Sequence, residues 1–457
     1  MSGVFRVGAG AGFSGDRTDA ASPVVETLRA RGGPAALFFE VLGERTVALA
    51  QLARRGDPEG GYEPMLDRLL APVLGSCAEA GIPIIGNFGG ANPRGAARRV
   101  AQLAEAAGVG GLRIGVVEGD DVRGLDLDAL EPFEEDGSAH FETPGELVAA
   151  NVYLDAQPIV QALEAGAQVV VTGRTGDPSL ALAPLIRHFG WSAEDWDRLA
   201  AGAVAGHLLE CGAQLSGGVF YEPGYKEVPE PWNLGFPIAE VDAAGGLVVT
   251  KADATGGRVS LASVKEQLLY EVHDPAAYVT PDVAVDMTAI TLSQDGPDRV
   301  RVSGVRGRPR PEKLKITASY DGGWLGEGEV SVAGPNAAAR AQAMAEALRE
   351  RMRRRRLPAR FRIDLIGLGA ALDSDEGVRR VCRGAGPEEI RVRIAAASPE
   401  FDAAEQAARE ALAMLCCGPA GTGGARWRTT RRIATRSFLA PRSLAPASGA
   451  LLEEARR

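Results

Sequence analysis

This chain lacks both a disulfide framework and a cysteine-rich metal knuckle. Its five cysteines, Cys77, Cys211, Cys382, Cys416 and Cys417, form no C-x-x-C pair, so reduced thiols are expected. Histidine is sparser still. His140, His188, His207 and His273 are the whole complement, and no two are spaced i, i+4, which argues against a histidine-rich metal site. No apolar run approaches the roughly 20 residues of a spanning helix, and MSGVFRVGAGAGF lacks the basic-then-apolar layout of a signal peptide. A cytoplasmic protein without a membrane partner is the expectation. Lysine is scarce beside arginine, and a net charge of -10 withholds the clustered positive charge that phosphate backbones require, so no nucleic-acid partner is expected. The basic run Arg351, Arg353, Arg354, Arg355, Arg356 and Arg360 reads as a solvated helix end facing the negative helix dipole.

At 457 residues, with 45% apolar and 24% charged residues, the chain has the make-up of an ordinary globular protein with two folded parts. The N-terminal half repeats one unit, an apolar run ending in Gly, Asn, Asp or Glu and then a stretch of helical spacing. FRVGAGAGF, AALFFEVL, IPIIGNFGG, LRIGVVEGDD and AQVVVTGRTGD read as five strands. Their near-continuous apolar character predicts a parallel sheet covered on both faces. The fold class expected is α/β, with a parallel doubly wound N-terminal sheet and a second α+β domain. Residues 1–237 would form the first domain. From about Ile238 the texture turns to hairpin-like strands with two helices, so 238–457 reads as the α+β domain, its closing Gly/Pro/Arg-rich stretch expected as a flexible tail or an interface strand.

Ligands of open parallel sheets bind outside the carboxyl ends of the strands. Those ends are polar and glycine-rich here. The first carries Gly12, Asp16 and Arg17, the second Glu40, and the third Asn87, Gly89, Gly90 and Asn92. The fourth carries Asp120 and Asp121, the fifth Arg174 and Asp177. Glu40, Asp120, Asp121 and Asp177 are the candidate acid/base groups. Arg17 and Arg174 are the candidate clamps for a substrate carboxylate or phosphate. His207 and Cys211, i, i+4 on a probable helix, pair on paper as base and thiol, against the blander reading of two satisfied core residues. Thr255, Gly256 and Gly257 precede a helix with Ser263 and Glu266 at capping-box spacing, so their backbone amides are candidates to cradle an anion. The aromatics Tyr221, Tyr225, Trp232 and Phe236 crowd a glycine-rich loop that suits a lid or an interdomain plug.

Gly10, Gly12 and Gly15 match G-x-G-x-x-G after a strand, with Glu40 near the place of a ribose-binding carboxylate. That keeps a nucleotide-cofactor reading open, although Asp16 would repel a pyrophosphate there. No metal ligands are assigned. Paired carboxylates still leave room for a divalent cation, since hard cations choose oxygen ligands.

In order along the chain, GAGAGFSGDR, LFFEVLGERTVALAQ, GNFGGANP, VVEGDDV, VVTGRTGDPSLALAPL, GHLLECGAQLSGGVF, TGGRVSLASVKEQLLYEVHDP and VRGRPRPEKLKI resemble the acyclic terpene utilisation (AtuA) family. The resemblance runs from Arg6 to about Lys315 and continues more weakly beyond. It implies an association with breakdown of citronellol- and geraniol-type compounds through carboxylated acyl-CoA intermediates. It also implies a partner, the small ferredoxin-like module that some relatives carry or sit beside.

The first functional reading is a lyase or hydratase acting on a small anionic substrate, with coenzyme A entering only as part of an acyl-CoA thioester. Carboxylates would move protons, arginines hold the anion, and amides stabilise an enolate or oxyanion. The alternatives are a noncatalytic subunit or scaffold of a multi-subunit acyl-CoA enzyme, and the nucleotide-dependent enzyme above. A homo-oligomer is expected.

Overall fold

The computed structural model describes residues 3–133, 145–368, 370 and 387–452. His140 and Cys382 lie outside the described residues. The chain divides into two compact units, one of Met1–Ala139, Val148–Ser319 and Thr435–Arg457, the other of His140–Leu147 and Tyr320–Ala434.

The first unit is built on a mixed sheet with a parallel centre. Its strands begin with β1 (Val4–Ala11), β2 (Ala35–Phe39), β3 (Ile84–Gly86), β4 (Ile114–Glu118), the two-residue β5 (Glu131–Pro132), β6 (Leu147–Val152) and β7 (Val169–Thr172). β1, β2, β3, β7 and β4 lie side by side in that order, each neighbour parallel. Every residue of β2, β3 and β7 is buried, which is why these runs are continuously apolar and do not alternate. Helices follow the strands: α1 (Ala21–Arg31), α2 (Glu44–Gly56), the short α3 (Leu66–Leu70) and α4 (Leu74–Ala80), α5 (Pro93–Ala106) and α6 (Gln157–Glu164). Proline opens both α5 and α6, where its missing N–H costs nothing.

Two further helices set the site. α7 (Asp177–Phe189) starts just past β7, and α8 (Trp196–Leu209) is buried throughout from Leu199. A Cβ at Gly206 would meet Pro178 Cα at 2.6 Å, so glycine there lets α8 press its last turn against the first turn of α7. His207 is thereby brought close to Asp177.

The texture change near Ile238 falls where the same sheet passes from parallel to antiparallel pairing. β8 (Pro237–Asp242) pairs antiparallel with β1, and β9 (Leu247–Lys251) follows it. After α9 (Leu261–Leu269) come β10 (Tyr278–Val279), β11 (Ala284–Asp286), β12 (Thr291–Gln294), β13 (Val300–Ser303) and β14 (Arg306–Arg308). β13 and β12 extend the sheet beyond β9, while β10, β11 and β14 make a small sheet of their own.

The second unit takes Tyr320–Ala333 of the long strand β15 (Lys313–Ala333), α10 (Ala337–Arg355), β16 (Arg360–Ile366), β17 (Glu389–Ser398), α11 (Phe401–Cys417) and most of β18 (Thr422–Pro441). α10 and α11 share one core with β15, β16 and β17, centred on Met344, Leu348, Val392, Ile394 and Met414. The arginine run at the end of α10 is paired and exposed: Arg351 and Arg355 meet Glu410, and Arg353 and Arg354 meet Glu350. Of the loose tail and the interface strand left open by the sequence, the closing stretch takes the second form, ordered as β18 and β19 (Ser448–Leu451), the latter antiparallel to β4 at the outer edge of the first unit's sheet. The ambiguity has a clear cause. β18 is arginine-rich and mostly exposed or half-exposed, so it shows none of the apolar alternation that marks a strand.

Candidate active site

The chain leaves β2 at Phe39, and the next residue, Glu40, is the first polar group at the sheet's carboxyl rim. Its Oε1 accepts hydrogen bonds from Leu42 N–H and Asn87 Nδ2, both at 2.9 Å. Asn87, fully buried, also accepts Val41 N–H through Oδ1 at 2.7 Å, so one amide fixes both the turn and the carboxyl. Burial, and then the neighbouring charge of Asp177, push the Glu40 carboxyl up to about 8 against the pull of Arg174 and Asn87. Both bonds engage Oε1, and Glu40 is one of the residues lining a cavity.

Arg174, in the turn between β7 and α7, is 4% exposed. Its Nη1 donates to the Leu42 carbonyl at 2.6 Å and to Asp177 Oδ1, and its Nη2 lies 3.5 Å from Asp177 Oδ2. The guanidinium also stacks on Tyr153, 4.2 Å from the ring centre, while the Tyr153 hydroxyl donates to Glu44. Arg174 is thus occupied by protein groups. It positions Asp177 and pairs with it, and is not spare as a substrate clamp. Its Nε, buried, has no hydrogen-bond partner among the described residues. Burial still raises Asp177 above the usual carboxylate range despite the arginine.

At the end of α8, His207 does not pair with Cys211. Its Nδ1 faces Glu210 Oε1 at 3.0 Å and its Nε2 the Leu268 carbonyl at 3.3 Å. Burial opposes a charge on His207, but the bond to Glu210 and its charge outweigh that and raise the imidazole; burial also pushes Glu210 up to about 7. The Cys211 thiol is driven upward by burial and then by the charge of Glu210, so it stays a thiol.

Two cavities meet at this wall. One, of about 800 Å³, is lined by Gly12, Asp16, Arg17, Glu40, Cys211 and the aromatic-rich loop at Trp232 and Phe236. The other, of about 710 Å³, is lined by Glu44, Tyr153, Arg174, His207, Lys313 and Lys315. Asp177, Glu210 and Glu271 line both. Gly12 admits no side chain, because a Cβ would meet the Cys211 carbonyl carbon at 2.5 Å and Gly212 N at 2.6 Å. Asp16 folds the first loop onto itself by accepting Gly12 N–H and Arg17 N–H, each at 2.8 Å. α1 begins only at Ala21, so Gly15 does not open a helix as the dinucleotide fingerprint would have it. Arg17 is braced by Asp19 and by the Leu234 carbonyl, and stays on the cavity wall.

The remaining predicted residues lie off these walls. Asp120 is buried beneath the site, where Oδ2 accepts Asn151 Nδ2 and Arg174 N–H at 2.8 Å each; burial pushes it up to about 6. It holds the β7–α7 turn in place. Asp121 points outward to Arg123 at 2.7 Å. Asn92 caps α5 through Gly95 N–H at 3.0 Å, and Gly89 N–H is spent on the Thr172 carbonyl at 2.9 Å. Gly90 takes a left-handed turn (φ 52) between them. The expected amide cradle does not form, since Gly256 N–H donates to Asn233 and Gly257 N–H to Pro229, while Thr255 Oγ1 donates to Ala252. The cap of α9 is Ser260 on Ser263, and Glu266 instead pairs with Lys226. Among the described residues no group of three or more His, Cys, Asp or Glu side chains is arranged to hold a metal ion.

Sequence reasoning gave no role to Glu210, Tyr153, Tyr278 or Lys315, while Glu44 shares with Glu40 the end of the second predicted strand. Glu210 alone had a signal, a carboxylate three residues after a histidine on an otherwise apolar helix. The family model described as acyclic terpene utilisation family protein AtuA matches residues 5–450. Neither a curated protein nor a solved structure matches the chain.

Proposed function

The chain belongs to the acyclic terpene utilisation family, and we propose that it is a lyase or hydratase acting by acid/base chemistry on a carboxylated small molecule or an acyl thioester. The observation that carries this reading is Glu40, a carboxyl pushed up to about 8 that lines a cavity of about 800 Å³. At neutral pH such a group keeps its proton and can hand it to a departing hydroxyl. In the elimination direction, a carboxylate across the wall takes a proton from the carbon next to the carbonyl. The electron pair left behind becomes the double bond, the C–O bond breaks, and the hydroxyl leaves as water with the Glu40 proton. Hydration is the same path reversed.

Charge favours one orientation of the substrate. The Glu40 cavity carries Asp16, Asp19, Asp177, Glu210 and Glu271 against Arg17 alone, so it suits the neutral reacting part. The adjoining cavity sets Lys313 and Lys315, beside the already paired Arg174, against Glu44, Asp177, Glu210 and Glu271; it is the less acidic of the two, and its lysines suit the anionic end. The test is incubation of the full chain with a panel of acyl-CoA thioesters and 3-hydroxy acids, read by mass for gain or loss of water. Turnover that falls away in Glu40→Gln supports the reading, and no turnover by the wild type rejects it.

A further inference from the structure

The protons of the His207–Glu210 pair can be assigned from the geometry alone. The Leu268 carbonyl, 3.3 Å from His207 Nε2, can only accept, so Nε2 carries a hydrogen. Nδ1 and Glu210 Oε1 stand 3.0 Å apart. Two bare lone pairs would repel at that distance, so one proton lies between them. The pair is either imidazolium with carboxylate or imidazole with carboxylic acid, and its net charge is the same in both.

The other oxygen, Glu210 Oε2, is buried and, among the described residues, has no hydrogen-bond partner. A buried carboxyl oxygen left so is uncommon and costly, and a group that enters to meet it removes the cost. Glu210 belongs to the wall that both cavities share. Asp177, in the same wall, differs, since both of its oxygens face Arg174. Resting on the acid/base reading above, we propose that Glu210 is the catalytic base of this site, receiving the substrate's proton at Oε2, and that His207 is its positioning residue, holding Oε1 through the shared proton. The substrate C–H bond breaks, its electron pair stays with the substrate, and the imidazolium offsets the negative charge that develops there.

The titratable groups around the pair come from several elements: Asp177 of α7, Tyr278 of β10, Glu271 after α9, and Cys211 on the same segment. The Tyr278 hydroxyl stands 3.5 Å from Nδ1 with the two rings 4.9 Å apart. A positively charged partner is what allows a carboxylate to stay ionised, and hence basic, in this acidic surrounding.

Two measurements on the full chain decide the proposal. The first follows the ring nitrogens of His207 by NMR of 15N-histidine protein from about pH 5 to about pH 9, with His207→Gln for assignment. We expect Nε2 to stay protonated throughout and Nδ1 to show the intermediate shift of a shared proton. Glu210→Gln should abolish that shift and change the titration of the ring. His207 resonances indifferent to Glu210→Gln overturn the proposal. The second measurement is turnover of the thioester panel. If the wild type turns over and Glu210→Gln lowers kcat on the order of 10²–10⁴-fold with loss of the acidic limb of the pH profile, where protonation of the base ends activity, Glu210 is the base. His207→Gln should shift that limb while leaving KM nearly unchanged. Wild-type turnover matched by Glu210→Gln removes Glu210 from catalysis and leaves the lyase or hydratase reading standing. If the wild type turns over nothing, that reading and the catalytic role fall together, whatever the histidine spectra show.

Discussion

Replacing Glu40 with glutamine tests the site through stability, without knowledge of the substrate. Glutamine keeps the Oε1 that accepts Leu42 N–H and Asn87 Nδ2, so the turn after β2 should survive. What it removes is a titration. A carboxyl raised from 4.5 to about 8 binds its proton more tightly in the folded chain than in the unfolded one. Its contribution is therefore fully present below the unfolded value and is lost as pH rises through the folded value. At about 1.4 kcal/mol per unit, the ceiling on that loss is about 5 kcal/mol. Glu40 is partly open to the cavity, where water screens the charge, so we expect on the order of 2–3 kcal/mol. The two proteins should melt alike near pH 4 and diverge above neutrality, the glutamine variant becoming the more stable by roughly 2 °C per kcal/mol. Paired calorimetric melts across this range measure it. Asp120, Glu210 and Asp282 are also raised by burial, but they are common to both proteins and largely cancel in the difference. Melting temperatures that stay parallel from acid to alkaline pH would refute the burial of Glu40 as the cause of its raised pKa.

Four other substitutions examine the scaffold. Gly12→Ala forces a Cβ against the backbone of Cys211 and Gly212, where no rotamer relieves it, and should cost about 3 kcal/mol or more by chemical denaturation; a near-neutral result would mean that the first loop and the turn after α8 are not pressed together. Arg174→Met leaves the half-buried Asp177 without its buried partner and should cost about 2–4 kcal/mol, and a loss under about 1 kcal/mol would show the pair to be dispensable. Asp120→Asn and Asp121→Asn should separate cleanly at pH 8. The first keeps an oxygen for both bonds under the β7–α7 turn and removes a carboxyl that burial raises to about 6, so at pH 8 it should be the more stable by on the order of 1–3 kcal/mol; the second, exposed beside Arg123, changes stability by less than about 1 kcal/mol. Equal effects would undo the distinction drawn between the two aspartates.

The parallel centre of the sheet was readable because burial on both faces leaves a plain mark, five apolar runs each stopped by a polar or glycine-rich end. The strand-end rule then found Glu40, Asp177, Asp16 and Arg17, which share one cavity. It could not sort wall from foundation. Asp120 and Asn87 stand at equivalent strand ends yet spend their oxygens on backbone and side-chain amides beneath the site, and only coordinates tell an engaged carboxyl from an open one. The His207–Cys211 spacing misled because i, i+3 and i, i+4 neighbours are equally near on a helix, and Glu210 offers the stronger bond. Tyr153 and Tyr278 were invisible for a different reason. Tyr278 comes from a two-residue strand and Tyr153 from just past the end of β6, neither in a motif, and their place at the site depends on pairings distant in sequence.

The placement of β19 has a consequence for how the chain is made. Its four residues, Ser448–Leu451, cap the exposed side of Ile114–Glu118. During translation the earlier strand emerges long before its neighbour, a delay on the order of tens of seconds at typical elongation speeds. For that interval its outward amides and carbonyls stand unsealed, an open invitation to another nascent chain. Truncations that stop short of Ser448 would make this passing vulnerability permanent, and should reveal themselves as insolubility well before any loss of chemistry could be measured.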